Sequence, residues 1–248
     1  MIRLPEAIAR RLNKTQEVRH NDYAVREMAE QLLALTDEQF GRYAFLHEPL
    51  EGKFDDAQKA VYIRKANACG RETALRELTD IPKGCSTAER LEMLAKRYGV
   101  SVGDAGVPTG GGHVLFAQFE EPNRITIFSD CLDRLNTLVE DEKLLDLFEA
   151  VDFRSVLLAH ELFHAVEHAH KDRIYTQTEK VELWKKPFSN KSRILALSEI
   201  AAMSFTKAAC QIPFSPYALD VLLLVSYNRE AACALYEEIL TAAGIPLI

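Results

Sequence analysis

The chain has 248 residues, of which 48% are hydrophobic and 27% charged, and its formal net charge is −7. A chain of this length and composition can bury a full core, which excludes a disordered protein and predicts one compact unit. The 37 acidic residues outnumber the 30 basic ones, which argues against the broad basic surface that nucleic-acid binding requires. We therefore expect no nucleic acid among the partners of this protein.

Cysteine usage and hydropathy predict a cytoplasmic protein. The five cysteines are odd in number and are never spaced as C-x-x-C, so reduced thiols are expected. The first residues, MIRLPEAIARRLNKTQ, lack the apolar segment of a secretory signal. The longest aliphatic run, VLLLV at 221–225, is far shorter than a membrane span. No membrane partner is expected.

Residues 1–99 are predicted to form an N-terminal helical region. Thr36 followed by Gln39 is typical of a capping box at a helix start, and Gly99 is placed to end a helix. The predicted helices of this region cover residues 5–12, 22–35, 37–46, 55–67, 70–79 and 87–98.

Residues 100–248 are predicted to form the second part of the chain. Six glycines and prolines in VSVGDAGVPTGGG (100–112) predict a loop. Residues 113–119 and 124–129 are rich in β-branched and aromatic side chains and are separated by EEPN, which predicts an antiparallel hairpin. Further helices are predicted over residues 131–150, over residues 153–170 with Asp152 as N-cap, over residues 193–210, and after Ser215-Pro216.

The helix over residues 153–170 carries four of the seven histidines and the pattern H-E-x-x-H. His160 and His164 lie about 40° apart on one helix face and about 6 Å apart along the axis, so their imidazoles can converge on one ion. Glu161 projects beside that ion, where a carboxylate can take a proton from a zinc-activated water. The simpler alternative is a histidine-rich amphipathic helix without metal. A chance H-E-x-x-H is expected about once in a hundred chains of this length.

Three residues compete for the place of third ligand. His170 has the spacing of the pattern H-E-x-x-H-x-x-G-x-x-H, but Glu167 occupies the position where glycine must let the chain leave the helix. His168 lies a further turn along the helix and suits an outer or surface role. Glu199, thirty-five residues after His164, opens the next helix, where the small residues at 201 and 202 favour close packing. A carboxylate from a second helix would complete a site of two histidines and one glutamate.

In this combination of motifs the chain resembles the gluzincin zinc metallopeptidases, and the ImmA/IrrE type in particular. The resemblance covers residues 97–216: a hairpin, a helix with LLAHELFH, and a later helix with E-x-x-A. It implies an α+β, mainly helical fold with a zincin-like core and a small antiparallel sheet. It also implies one zinc per chain, held by His160, His164 and Glu199, with Glu161 as general base. The family often places Asp or Asn shortly after the ligand glutamate to orient a histidine, but here Met203 and Ser204 follow.

The hypothesis from the sequence is therefore a zinc metallopeptidase that hydrolyses peptide bonds in a peptide or protein substrate. An edge strand of the hairpin would align the extended substrate. The sequence does not choose an oxyanion-stabilising group among Tyr175, Arg193, Tyr217 and Tyr227. One alternative is a non-catalytic, metal-containing helical protein that acts in partner binding. A di-iron bundle is a further alternative, but it needs its two E-x-x-H pairs on different helices.

Overall fold

The structure of the protein, a computed structural model, describes residues 23–82, 84–106, 116–149, 151–184 and 190–247. The chain is mainly helical, with two small sheets. No helix in these ranges combines the length and the apolar character needed to cross a membrane. The helices are α1 (Val25–Leu33), α2 (Asp37–Leu46), α3 (Asp56–Leu78), α4 (Thr87–Arg97), α5 (Ser129–Asp141), α6 (Leu145–Phe148), α7 (Phe153–Ala169), α8 (Tyr175–Thr178), α9 (Ala196–Cys210), α10 (Ala218–Val225) and α11 (Arg229–Ala243). The strands are β1 (Ser101–Ala105), β2 (Ala117–Glu120), β3 (Arg124–Phe128), β4 (Lys180–Trp184) and β5 (Asn190–Arg193).

Local capping signals correctly marked where helices begin. The Thr36 side chain accepts a hydrogen bond from the Gln39 amide, and the Gln39 side chain accepts one from the Thr36 amide, so the predicted capping box is confirmed. Equivalent boxes, formed by Asp55 with Gln58 and by Ser86 with Glu89, start α3 and α4. Each box satisfies amide groups that have no partner inside the helix. The helix predicted over residues 5–12 lies outside the described residues.

The predicted helix break between residues 67 and 70 is wrong, because α3 runs unbroken from Asp56 to Leu78. Gly70 sits in the middle of this helix, where α3 packs against α9. A Cβ atom at Gly70 would lie only 2.1 Å from the Ala201 carbonyl oxygen and 2.8 Å from the Phe205 amide nitrogen. Glycine is therefore needed at position 70 because α3 and α9 approach each other closely there. The α3 helix continues through it.

The hairpin prediction is confirmed, but the sheet is mixed and not purely antiparallel. Strands β2 and β3 pair antiparallel, with Phe119 opposite Ile125. Residues 101–105, predicted as loop, form β1, which pairs parallel to β3 and gives the strand order β1-β3-β2. β1 is mostly exposed and carries little of the apolar alternation that marks a strand, so backbone pairing with β3 determines its conformation.

Two further differences lie in segments with weak sequence signals. The helix predicted over residues 131–150 is divided into α5 and α6 by a turn at Lys143, whose φ is 55°. The polar stretch after α7 contains α8 and a second hairpin, β4–β5. The division into a helical region (1–99) and a core (100–248) stays a prediction. Helices from both parts, α3 and α9 among them, pack directly on one another.

Candidate metal centre

The histidine helix, α7, begins at the predicted cap and runs without a break through both motif histidines. The Asp152 side chain accepts a hydrogen bond from the Arg154 amide at 3.1 Å, which confirms it as N-cap. The helix positions on the side opposite the motif histidines are buried, namely Leu158, Leu162, Ala165 and Val166. The histidine face is enclosed as well, since His160 is only 1% exposed. The helix is therefore a central element of the core.

A buried carboxylate from the connection after α2, that of Glu48, fixes the start of α9. Glu48 Oε2 accepts a hydrogen bond from the Ala196 amide at 2.9 Å, and its Oε1 accepts one from the Leu50 amide at 3.1 Å. A negative group at a helix N-terminus is stabilised by the amide dipoles that point toward it. This contact holds the first turn of α9, and Glu199 lies in that turn.

The structure brings together His160, His164 and Glu199. The Nε2 atoms of the two histidines are 3.2 Å apart. Glu199 Oε2 lies 3.4 Å from His160 Nε2, and its Oε1 lies 3.6 Å from His164 Nε2. The two Nε2 atoms and the Glu199 carboxylate, which approaches each of them with a different oxygen, thus form a small triangle of side chains at the interface of α7 and α9.

The size of this triangle fits one metal ion. Two atoms that each bind a tetrahedral zinc at about 2.1 Å lie about 3.4 Å apart, and each Nε2 atom lies at about this distance from the other and from one Glu199 oxygen, at 3.2, 3.4 and 3.6 Å. The donor set of two imidazoles and one carboxylate is that of catalytic zinc sites. The Glu199 side chain is 42% exposed, so solvent reaches the group at this carboxylate.

The local electrostatics favour the ligand forms of these side chains. Burial lowers the pKa of His160 below its ordinary value, despite the opposing hydrogen bond with Glu199. The imidazole is therefore neutral at physiological pH and has a lone pair to donate. Desolvation of Glu199 acts to raise its pKa, but the adjacent His164 and the hydrogen bond with His160 outweigh it and lower the pKa to about 2. Neutral imidazoles and an ionised carboxylate are the states that bind metal.

A third carboxylate, Glu167, lies behind His164 together with Ser198. Glu167 is buried, and its Oε2 lies 3.6 Å from His164 Nδ1 and accepts a hydrogen bond from Ser198 Oγ at 2.7 Å. Ser198 Oγ itself lies 3.4 Å from His164 Nδ1. Glu167 Oε1 accepts a hydrogen bond from Thr176. Burial acts to raise the pKa of Glu167, but His164 and the two hydroxyl donors lower it, so the carboxylate is ionised. A carboxylate behind a ligand histidine fixes the ring and the tautomer that presents Nε2 to the metal.

The sequence did not predict this position for Glu167, which entered there as the residue that replaces glycine in the longer histidine pattern and as part of an E-x-x-H pair of the di-iron alternative. The signal was its position three residues after His164, where side chains on one helix meet. Ser198 and Thr176 carried no comparable signal, because their role depends on how α8 and α9 pack on α7. His160 has no comparable partner. Its Nδ1 is buried and forms no hydrogen bond within the described residues.

Glu161 lies beside the triangle and outside the group of three. It is fully buried, and its Oε2 accepts a hydrogen bond from the Phe119 amide of β2 at 2.6 Å. This bond ties the edge of the hairpin to the histidine helix. The predicted hairpin therefore has a direct structural relation to the H-E-x-x-H motif.

The two remaining histidines of α7 are directed elsewhere. His168 Nδ1 lies 3.2 Å from Glu121 Oε1, next to the β2–β3 turn. His170 ends the helix and contacts the Tyr98 hydroxyl through Nε2 at 2.9 Å and Arg173 through Nδ1 at 2.8 Å. Neither belongs to the potential metal-binding group found in the described ranges.

The four residues considered as oxyanion stabilisers differ in their surroundings. Tyr227 donates to Asp130 at 2.8 Å, Arg193 bonds to Gln177, and Tyr175 lines a separate cavity. The hydroxyl of Tyr217 is buried without a hydrogen-bond partner in the described part of the chain. Burial and the negative charge of Glu199 raise the pKa of Tyr217 well above its ordinary value, so this hydroxyl stays a hydrogen-bond donor.

Comparison with known proteins found no match: no protein-family model fits this chain, and neither a curated protein nor a solved structure is similar to it. The functional argument therefore rests on the residues and on their geometry.

Proposed function

We propose that this protein is a cytoplasmic zinc metallopeptidase of the gluzincin type, with one zinc per chain held by His160, His164 and Glu199. The observation that carries the proposal is the grouping of His160, His164 and Glu199, in which one donor atom from each residue lies within 4.8 Å of the others. The closest contacts have the length expected between two ligands of one tetrahedral zinc. The carboxylate of Glu167 behind His164 supports it, because such a contact is typical of zinc-bound histidine.

In the proposed reaction, bound zinc supplies Lewis acidity, polarising the substrate carbonyl and making a water molecule more acidic. Glu161 is the general base: it accepts a proton from the attacking water and passes it to the leaving amine. The hydrogen bond from the Phe119 amide holds the Glu161 carboxylate in place for both transfers. Tyr217 is the proposed donor to the developing oxyanion, because its hydroxyl is protonated and has no described partner.

The proposed substrate is an extended peptide or protein segment that adds to the outer edge of β2. This edge faces α7, since the Phe119 amide points away from β3 and toward Glu161. A peptide paired there would cross the motif helix, with its backbone held by strand addition.

Metal content tests the foundation of the proposal. Protein purified without chelator should contain about one zinc per chain, and His160→Ala should contain far less. Glu199→Ala should also lose zinc, whereas His168→Ala and His170→Ala, matched changes on the same helix, should retain it. Equal zinc in wild type and His160→Ala would refute the site. Zinc lost from His170→Ala but kept in Glu199→Ala would identify a different third ligand.

Glu161→Gln separates an enzyme from a metal-containing binding protein. The variant should keep its fold and its zinc, because Glu161 lies outside the ligand triangle, but should lose about a hundred- to ten-thousandfold in peptide cleavage. Unfolded proteins and broad peptide pools serve as substrates, and new termini are counted by mass spectrometry. Glu140→Gln, at an exposed position of α5, is the matched control. If wild type yields no chelator-sensitive cleavage beyond that of Glu161→Gln, the binding alternative replaces the peptidase.

A further inference from the structure

A surface cavity lies between α3 and the segment that follows α7. It has a volume of about 550 Å³ and includes none of the three proposed ligands among its lining residues. One wall is α3 and the other is the segment that joins the end of α7 to α8. This volume is within the range of about 300–1,000 Å³ that is common for small-molecule sites.

Positively charged side chains from both walls line this cavity, and they outnumber the carboxylates that could neutralise their charge. Lys65 of α3 and Arg173 of the opposite wall line it, and neither forms an ion pair with a carboxylate of the described ranges. A third cation, Arg76, is paired with Glu77 at 3.0 Å. Glu72 is the only carboxylate among the lining residues. The cavity is therefore positive in a protein whose net charge is −7.

A chain of polar contacts holds Arg173 at the cavity wall. The Tyr98 hydroxyl donates to Glu77 Oε2 at 2.8 Å and lies 2.9 Å from His170 Nε2. A guanidinium nitrogen of Arg173 lies 2.8 Å from His170 Nδ1 and 3.3 Å from its Nε2. The partner of Arg173 in this chain is an imidazole and not a carboxylate, so no ion pair within the described residues compensates the guanidinium charge.

Neutral donors complete the lining. Thr73 and Cys69 also line the cavity. Burial raises the pKa of the Cys69 thiol, so it does not add a negative charge.

We propose that this cavity binds a small molecule that carries a phosphate group. A phosphate has a charge near −2 and three acceptor oxygens, which suits two cations on facing walls that exceed the single lining carboxylate, together with the Thr73 hydroxyl and the Cys69 thiol. Guanidinium and ammonium groups are the usual partners of phosphate. The cavity is larger than inorganic phosphate needs, so an organic body would occupy the remaining space beside Ala68 and Ile174. The site goes beyond the proposed peptidase and does not depend on it.

Isothermal titration of the protein as purified tests the proposal, with inorganic phosphate, adenosine 5′-monophosphate, adenosine and succinate as probes. Phosphate should bind saturably, and the monophosphate should bind more tightly than either phosphate or adenosine. The double variant Lys65→Ala/Arg173→Ala should weaken phosphate binding at least tenfold. The control Arg64→Ala/Arg71→Ala removes the same charge from exposed positions of α3 outside the cavity lining and should change binding less than twofold.

A second measurement does not depend on any variant. Phosphate should slow the alkylation of Cys69, which lines the cavity, but not that of Cys85, which is half-buried elsewhere. No saturable binding of phosphate, equal loss in both double variants, or binding of succinate without phosphate would each overturn the proposal. Equal protection of both cysteines would do the same. Zinc content is the separate readout for the peptidase proposal, and neither outcome of the phosphate experiment alters it.

Discussion

Replacing Gly70 by alanine is expected to destabilise the protein and to weaken zinc binding, although alanine is the better helix former. The added Cβ would lie 2.1 Å from the carbonyl oxygen of Ala201 and 2.8 Å from the amide nitrogen of Phe205. Both atoms belong to the backbone of α9, so no side chain can rotate away. The helices must move apart instead, and α9 carries Glu199 two residues before Ala201.

The expected magnitudes follow from these distances. A carbon and an oxygen atom in contact lie about 3.4 Å apart, so the helices must separate by about 1 Å near Ala201. Overpacking of this kind costs about 1–3 kcal/mol, and the higher helix propensity of alanine returns up to about 1 kcal/mol. The free energy of unfolding should therefore fall by about 1–2 kcal/mol. Zinc affinity should fall about tenfold or more, since metal sites tolerate ligand shifts of only about 0.2 Å.

Urea denaturation of the zinc-free protein and zinc competition with a chromophoric chelator measure the two effects separately. Gly52→Ala is the control, because a Cβ at Gly52 meets no atom within 4 Å, and its stability should stay within about 0.5 kcal/mol of wild type. If Gly70→Ala is as stable as wild type and binds zinc equally well, the close approach of α3 and α9 does not position Glu199, and the reasoning fails.

Three further predictions concern the carboxylates and the histidines. Glu167→Gln should weaken zinc affinity about ten- to a hundredfold by removing the group that orients His164, and unchanged affinity in chelator competition would contradict that role. Zinc should be retained at neutral pH and released as the pH falls below about 6.5, because protons compete for the imidazoles. The zinc-free protein should lose stability over the same range, since the pKa of His160 is lowered by burial and the unfolded chain takes up a proton that the folded chain does not. A pH titration of zinc content and urea midpoints checks both effects, and release above pH 7 would count against the site. Glu48→Gln should lower the free energy of unfolding by about 1–3 kcal/mol, because the side-chain amide of glutamine cannot accept both hydrogen bonds from the Leu50 and Ala196 backbone. A stability equal to that of the Glu140→Gln control would exclude this anchoring role.

Features that depend on neighbouring residues could be predicted from the sequence. The capping box at Thr36, the N-cap at Asp152 and the β2–β3 hairpin all depend on contacts within a few residues, so local composition was enough to identify them. The convergence of His160 and His164 also follows from helix periodicity alone. The apolar face of α7 was predictable for the same reason.

Features that depend on distant parts of the chain required the tertiary structure. The sequence predicted two helices, 55–67 and 70–79, where the structure has one, and it does not show that the backbone of α9 lies against Gly70. β1 has little hydrophobic alternation, since its pairing with β3 holds an exposed segment extended. Glu167 could orient His164 only once Ser198 and Thr176 had been brought to its oxygens from two other helices. In the sequence, Glu199 was one of three candidates for the third ligand. The packing of α9 on α7, with Glu48 at the start of α9, brings the Glu199 carboxylate to the two histidines.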